Sequence, residues 1–319
     1  DVLIYGNAWF KKAVETQDLI KYLQAAGRGG IGYGYAFLNY LVSIFTDNPH
    51  WFYFILALLE MTILYFALKP YKDRISIAYG FFVYFFIYYN DSLNTLRQMP
   101  AILLVLLSFS FVRKRKLVLF VLTIGGAMLF HITAVVGFII YPLAILAESK
   151  LKKIINIGIF IIMLVGVLNF AYIVDFLNNL NFISLDRYSH YITSDDVSGG
   201  RMLRIALLTI LFILFFVSKE KLSVKYKEIN SLFMYMIFSC VLTLLLFIFS
   251  SAYIIRIANY YDIFMVLYVP YIVKALKIRF GESGTVPKYI LCGSVFFVYW
   301  LIVYVIRNGA NTVPFLFMK

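Results

Sequence analysis

Charge, cysteine and histidine are all scarce in this sequence. Only 14% of its 319 residues are charged, against about 25% in soluble domains, which excludes an ordinary water-surrounded globule. Cysteine occurs twice, at Cys240 and Cys292, each inside an apolar run. Neither a disulfide framework nor a cysteine-bound metal cluster is suggested. The three histidines, His50, His131 and His190, are far apart, and no HExxH, CxxC, Walker A or GxGxxG pattern occurs. Zinc, ATP and a dinucleotide therefore have no case in the sequence, and no metal or cofactor is expected.

Apolar residues fill the space that charge leaves. Hydrophobic residues make up 63% of the chain and aromatics 19%, with a mean hydropathy of +0.87. Apolar runs recur from residue 50 to residue 306, each close to the ~20 residues that cross hydrocarbon as a helix. Continuous runs such as LLVLLSFSFV and IGIFIIMLVGVL exclude the alternating ~10-residue segments of a membrane barrel. The fold class is all-α, a polytopic integral membrane protein forming one transmembrane domain over 1–319.

A net charge of +13 would suit nucleic acid, but its distribution gives another account. Five short connections, KPYKDR (69–74), RKRK (113–116), SKLKK (149–153), KEKLSVKYK (219–227) and KALKIRF to Lys288, hold 14 Lys and 4 Arg. By the positive-inside rule these are cytoplasmic loops, and no nucleic-acid partner is expected. Spans fitted between them run 50–69, 74–90, 96–112, 117–130, 132–147, 153–174, 201–218, 229–250, 257–277 and 288–306, about ten in all. The outer face then receives an N-terminal segment, 1–49, the 90–97 turn, His131, the 175–200 loop, the 250–256 turn and the C-terminal tail. Residues 31–46 fit either an eleventh span or a helix lying in the outer interface. The chain starts at Asp1 without an initiator methionine, and one further upstream span is expected.

The pair 117–130 and 132–147 must enter and return, yet its legs reach only about 21 and 24 Å at 1.5 Å per residue, against ~30 Å of hydrocarbon. The tip, Phe130-His131, is therefore predicted to lie below the outer surface, in a cavity opening outward. Beyond residue 30 the outer face carries Arg97, Arg187, Arg201, Arg204, Arg256 and Arg307 with a single lysine, Lys319. Orientation needs only cations inside, whereas the planar arginine fork suits bidentate phosphate contact. Interfacial arginines that snorkel from helix ends are the structural alternative.

Polar residues gather beside these arginines. On a continuous helix Asn90, Asn94, Arg97, Gln98 and Ala101 form one stripe, which Pro100 would kink. Arg256, Asn259 and Tyr260 share a face at i, i+3 and i+4. Arg201 and Arg204 share another at a helix start, where their charge opposes the macrodipole and an anion would relieve the conflict. Asp91, Asp262 and Glu60 are candidate bases, and Glu60 lies halfway down a span, where an ionised group is costly. The 175–200 loop mixes Asn, Asp, Tyr and His, a composition suited to sugars and equally to a surface loop.

The order LRQ…A (Leu96-Arg97-Gln98, Ala101), then FH…A (Phe130-His131, Ala134), then RI..Y (Arg256-Ile257, Tyr260) resembles the EpsG-like family of Wzy-type bacterial polysaccharide polymerases. The similarity covers roughly residues 30–277, and Pro100 stands where a small residue is expected. The resemblance implies a glycosyltransferase of the plasma membrane, multi-pass, with its active site on the periplasmic or extracellular side. Its substrate would be undecaprenyl-diphosphate-linked oligosaccharide, and its partners the bilayer, a chain-length regulator and a flippase. On that reading Arg97 and Arg256 are assigned to the diphosphate, Arg201 or Arg204 to a second clamp, and His131 to the base, with a histidine that merely caps the hairpin as the structural alternative. Asn94, Gln98, Asn259 and Tyr260 would bind sugar or support the arginines. A lipid-linked oligosaccharide flippase and an O-antigen-type ligase are the competing readings. A flippase would place charge near the midplane and show an internal repeat.

Overall fold

A computed structural model describes residues 2–16, 18–149, 158, 161, 199–249, 252–276, 286–309 and 312. Among the described residues helix is the only regular structure. The span expected at 153–174 and the 175–200 loop fall almost wholly outside them. In chain order the α-helices are α1 (Ala8–Thr16), α2 (Leu19–Arg28), α3 (Tyr33–Ser43), α4 (Pro49–Leu68), α5 (Ile77–Ile87), α6 (Tyr89–Ser92), α7 (Gln98–Arg113) and α8 (Leu117–Phe130). They continue with α9 (Ile140–Glu148), α10 (Gly199–Lys225), α11 (Glu228–Phe249), α12 (Ala252–Asp262), α13 (Met265–Ala275) and α14 (Val286–Trp300). The chain divides into two compact units, residues 1–140 with 265–319, and residues 141–264.

In the first unit α7 is the central helix. Ala101, Leu103, Val105 and Phe109 have no exposed surface, and α4 and α8 pack against it. A helix apolar all round belongs inside a bundle. Its start is set locally: the Thr95 carbonyl accepts from the backbone N–H of Gln98 at 2.9 Å and of Met99 at 2.8 Å. Pro100 is thus the third residue of the helix, where its missing N–H would have no intrahelical partner anyway. The expected kink and the continuous 90–101 stripe are replaced by a break over Leu93–Arg97.

The N-terminal helices build a small core on top of α4. Phe10, Tyr22, Ala26 and Tyr35 pack with Phe52, Leu56 and Leu96. Asp18 caps α2 by accepting from the Lys21 N–H at 3.0 Å, and that backbone bond holds its carboxyl below the usual carboxylate range. The helix ends at Gly29-Gly30, where Gly30 takes a φ of 70°. The Ile31 N–H reaches back to the Ala26 carbonyl at 2.9 Å, a closure that needs glycine at the left-handed position. With 11 residues, α3 is ~16 Å long and too short to span. It leaves Phe37 and Leu41 exposed, as are Ile44 and Phe45 just beyond its end.

Three helical stretches among the described residues are long and apolar enough to cross a membrane, Pro49–Tyr71, Met202–Lys225 and Lys288–Ile306. The 117–130 boundaries agree with expectation, because Lys116 and His131 stop the helix at both ends. The leg beyond His131 begins as a 3-10 segment, Ile132–Ile139, before α9. The expected 257–277 span is interrupted at Ile263-Phe264. There Phe264 N–H bonds to the Tyr261 carbonyl at 3.3 Å, tightening the final turn.

Three of the five basic connections meet at one end of the first unit. The Lys274 ammonium donates to the Arg74 carbonyl at 2.8 Å, and Lys288 donates to the Lys274 and Leu276 carbonyls at 3.3 Å each. Lysine at a helix C-terminus fills orphan carbonyls and complements the dipole. Since α7 and α8 are neighbours joined by Lys114–Lys116, Arg97 and His131 lie at their other end. In the second unit α10 packs on α11 and α11 on α12, with Phe215 and Phe233 meeting edge to face at 5.5 Å.

Candidate functional site

Arg97 stands at the N-cap of α7 without capping it. A cation there opposes the helix dipole, so helix stability does not explain it. Its guanidinium lies over the Tyr5 ring, 3.8 Å from the centroid, and its terminal nitrogen donates to the Gly30 carbonyl at 3.0 Å. Tyr5 is fixed in turn, its carbonyl accepting from the Tyr35 hydroxyl at 3.3 Å. The cation is thus held on an aromatic face and a carbonyl by the N-terminal helices. Such a group is oriented before any anion arrives, which lowers the cost of binding one.

His131 ends α8 in an extended conformation, φ −152° and ψ 121°. Its Nδ1 lies 2.6 Å from the Thr133 hydroxyl. The same N-terminal connection that serves Arg97 also covers this helix end. Gly32 sits against the Leu129 and Phe130 carbonyls so closely that an added Cβ would fall 2.5 Å from the first and nearer to the second. Residues 30–34 therefore touch Arg97 through Gly30 and the tip beside His131 through Gly32 and Gly34. The two sequence-predicted residues are brought to one strap, although they are 34 positions apart in the chain.

Other predicted residues take different places. Gln98 is buried at the start of α7 and Asn94 half-buried in the turn before it. Asn90 leaves the proposed stripe: it is 1% exposed, accepts from Trp300 Nε1 at 2.8 Å and donates to the Thr312 hydroxyl at 2.7 Å. Glu60 is buried, accepting from the Tyr84 hydroxyl at 3.1 Å. These two polar groups stitch the bundle together.

In the second unit, the side chain of Arg204 reaches the Asp262 carboxylate, through Nε at 2.9 Å and through a terminal nitrogen. Ser239 donates to the other oxygen of Asp262 at 2.9 Å. The anion that would relieve Arg204 at the start of α10 is thus supplied by the protein. Arg201 lies one turn before it on α10, and its side chain is outside the described residues. On α12, Tyr260 is fully buried while Arg256 and Asn259 are half-buried. Sequence reasoning named Arg204 and Asp262 separately and missed that they pair. It also missed Tyr5 and Gly30, for which the Arg28-Gly29-Gly30 helix stop was the available signal.

Comparison with known proteins shows the family of the chain. The EpsG family model matches residues 7–317. The chain belongs to the EpsG family. Neither the curated proteins nor the solved structures gave a match. EpsG membership agrees with the resemblance carried by LRQ, FH and RI..Y, and with the apolar helices it identifies a membrane protein with a polysaccharide polymerase-like role. The match encloses Arg97, His131, Arg204 and Arg256, and begins just after Tyr5.

Proposed function

We propose that this EpsG-family protein is a Wzy-type polysaccharide polymerase. It transfers a growing glycan from one undecaprenyl-diphosphate carrier to the terminal sugar of a second carrier-linked repeat unit. The reaction takes place at the outer face of the plasma membrane, with about ten spans and an outward-opening cavity. The observation that carries this reading is the family membership over residues 7–317. The preset guanidinium of Arg97 supports it, on Tyr5 and Gly30.

In the proposed reaction the acceptor hydroxyl oxygen bonds to the anomeric carbon of the donor glycan. The bond from that carbon to the carrier diphosphate breaks, and negative charge grows on the leaving phosphate. Arg97 meets that charge without a metal, because its fork already points from a fixed ring. His131 takes the hydroxyl proton at Nε2 when its Nδ1–H donates to Thr133, the tautomer that frees Nε2 as acceptor. Arg256 is assigned a phosphate contact, and Arg201 takes the second clamp in preference to Arg204, which Asp262 engages. Asn94, Gln98, Asn259 and Tyr260 support sugar or arginine.

Purified protein incubated with a synthetic carrier-diphosphate repeat unit tests the reading. A ladder of products is expected; a single addition to a different acceptor indicates a ligase, and vesicle translocation without turnover a flippase. Arg97→Lys keeps the charge and loses the fork, and a wild-type ladder from that variant at normal expression would refute the clamp.

A further inference from the structure

At the opposite, basic end of the first unit a cavity of about 530 Å³ lies between the end of α4 and the end of α7. Its lining is of two kinds. Lys69, Lys72 and Lys114 bring charge, with Asp73 beside them, while Phe66, Leu107 and Phe111 form an apolar floor. None of the three lysines forms an ion pair with a carboxylate among the described residues. Ser110, only 4% exposed, adds a hydroxyl.

The positive-inside rule asks for cations somewhere in a loop and is indifferent to where each side chain rests. Here they surround a hollow, beside a helix end that closes through a residue in the left-handed region. Arg115 takes a φ of 55°, a left-handed conformation that costs a non-glycine residue about 1–2 kcal/mol. That turn lets Lys116 N–H close on the Phe111 carbonyl at 2.9 Å and Arg115 N–H on Val112 at 3.0 Å. The reversal leaves Lys114 in the cavity wall. Below it, Lys69 stands 5.7 Å over the Tyr65 ring and 5.6 Å over Phe66, and both rings are exposed on the helix flank.

We propose that this cavity seats the headgroup phosphate of an anionic phospholipid from the leaflet at the basic end. The lysines take the phosphate oxygens, and the acyl chains descend along Phe66 and Tyr65. A free phosphate would use the lysines and leave the apolar floor idle, whereas an amphiphile uses both. Basic pockets between membrane helices are suited to such headgroups. The site is separate from the Arg97 end of α7 and does not rest on the polymerase reading.

The full chain in neutral detergent, titrated with phosphatidylglycerol and read by native mass spectrometry, tests this. Retention of phosphatidylglycerol in preference to phosphatidylcholine is expected, undiminished by inorganic phosphate at equal concentration. At about fivefold per lysine, the triple variant Lys69→Gln, Lys72→Gln, Lys114→Gln should bind on the order of a hundredfold more weakly. Leu107→Trp fills the cavity with every charge in place and should lose the preference as well. Unchanged retention in Leu107→Trp would show diffuse surface attraction and overturn the proposal. Competition by inorganic phosphate would overturn it too, in favour of a free-anion site.

Discussion

Replacing Tyr5 by leucine removes the ring beneath the Arg97 guanidinium and nothing else that holds the arginine. The Cζ-to-centroid distance of 3.8 Å is well inside the ~6 Å over which a cation is drawn to a ring face. Both side chains are half-buried, so the interaction belongs between the exposed value of ~0.5 kcal/mol and the desolvated value of ~2 kcal/mol. Taking about 1 kcal/mol, an arginine that drifts from its ring costs about fivefold in kcat/KM for glycan transfer. The bond from the Tyr35 hydroxyl to the Tyr5 carbonyl survives the change, and thermal unfolding in detergent should barely move. Tyr5→Phe keeps the ring and should restore the rate; Tyr5→Trp, the strongest cation acceptor, should match or exceed it. The ladder assay with synthetic carrier-linked repeat unit reads all three. A wild-type rate in Tyr5→Leu, or a Tyr5→Phe variant as slow as the leucine variant, would refute the role given to the ring.

Three further outcomes concern stability and are read by thermal unfolding. Gly32→Ala drives a Cβ into the Leu129 and Phe130 carbonyls and should cost about 1–3 kcal/mol, whereas Gly126→Ala meets nothing within 4 Å and should stabilise α8 by up to ~1 kcal/mol. Asp262→Asn leaves the Arg204 charge without its carboxylate where the side chains are 14% and 5% exposed, an expected loss of about 3–5 kcal/mol that the double change Arg204→Met, Asp262→Leu should largely recover. Trp300→Phe withdraws the donor from the buried Asn90 oxygen, with an expected loss of about 1–3 kcal/mol.

The sequence made the helical class legible, and with it the places of the three stretches long enough to cross a membrane, because long apolar runs and basic connections are strong, local signals. The ends of α8 were readable for the same reason, with lysine at one limit and His131 at the other. The 90–101 stripe was misread because periodicity cannot see Thr95 turning its carbonyl to the start of α7. Nothing in the run from Asn259 to Phe264 contains proline or glycine, so the break after Asp262 was equally hidden; Arg204 and Ser239 hold that aspartate from 58 and 23 residues away. Of the candidate site, Arg97 and His131 were legible as residue types at helix ends. Tyr5, 92 positions before Arg97, was not, since a lone tyrosine in an aromatic-rich chain carries no pattern.

The amide of Asn90 also places a constraint on biogenesis. Its partners Trp300 and Thr312 are synthesised 210 and 222 residues after it, and the Tyr304 hydroxyl that reaches the Ile87 carbonyl comes 217 residues later. At 5–20 residues per second, about 10–40 s separates the making of α6 from the arrival of its partners. During that interval the buried polar groups ahead of α7 must borrow water, lipid headgroups or an insertase. The Arg97 end of the bundle is then among the last parts to close, and a ribosome stalled before residue 300 would leave it open.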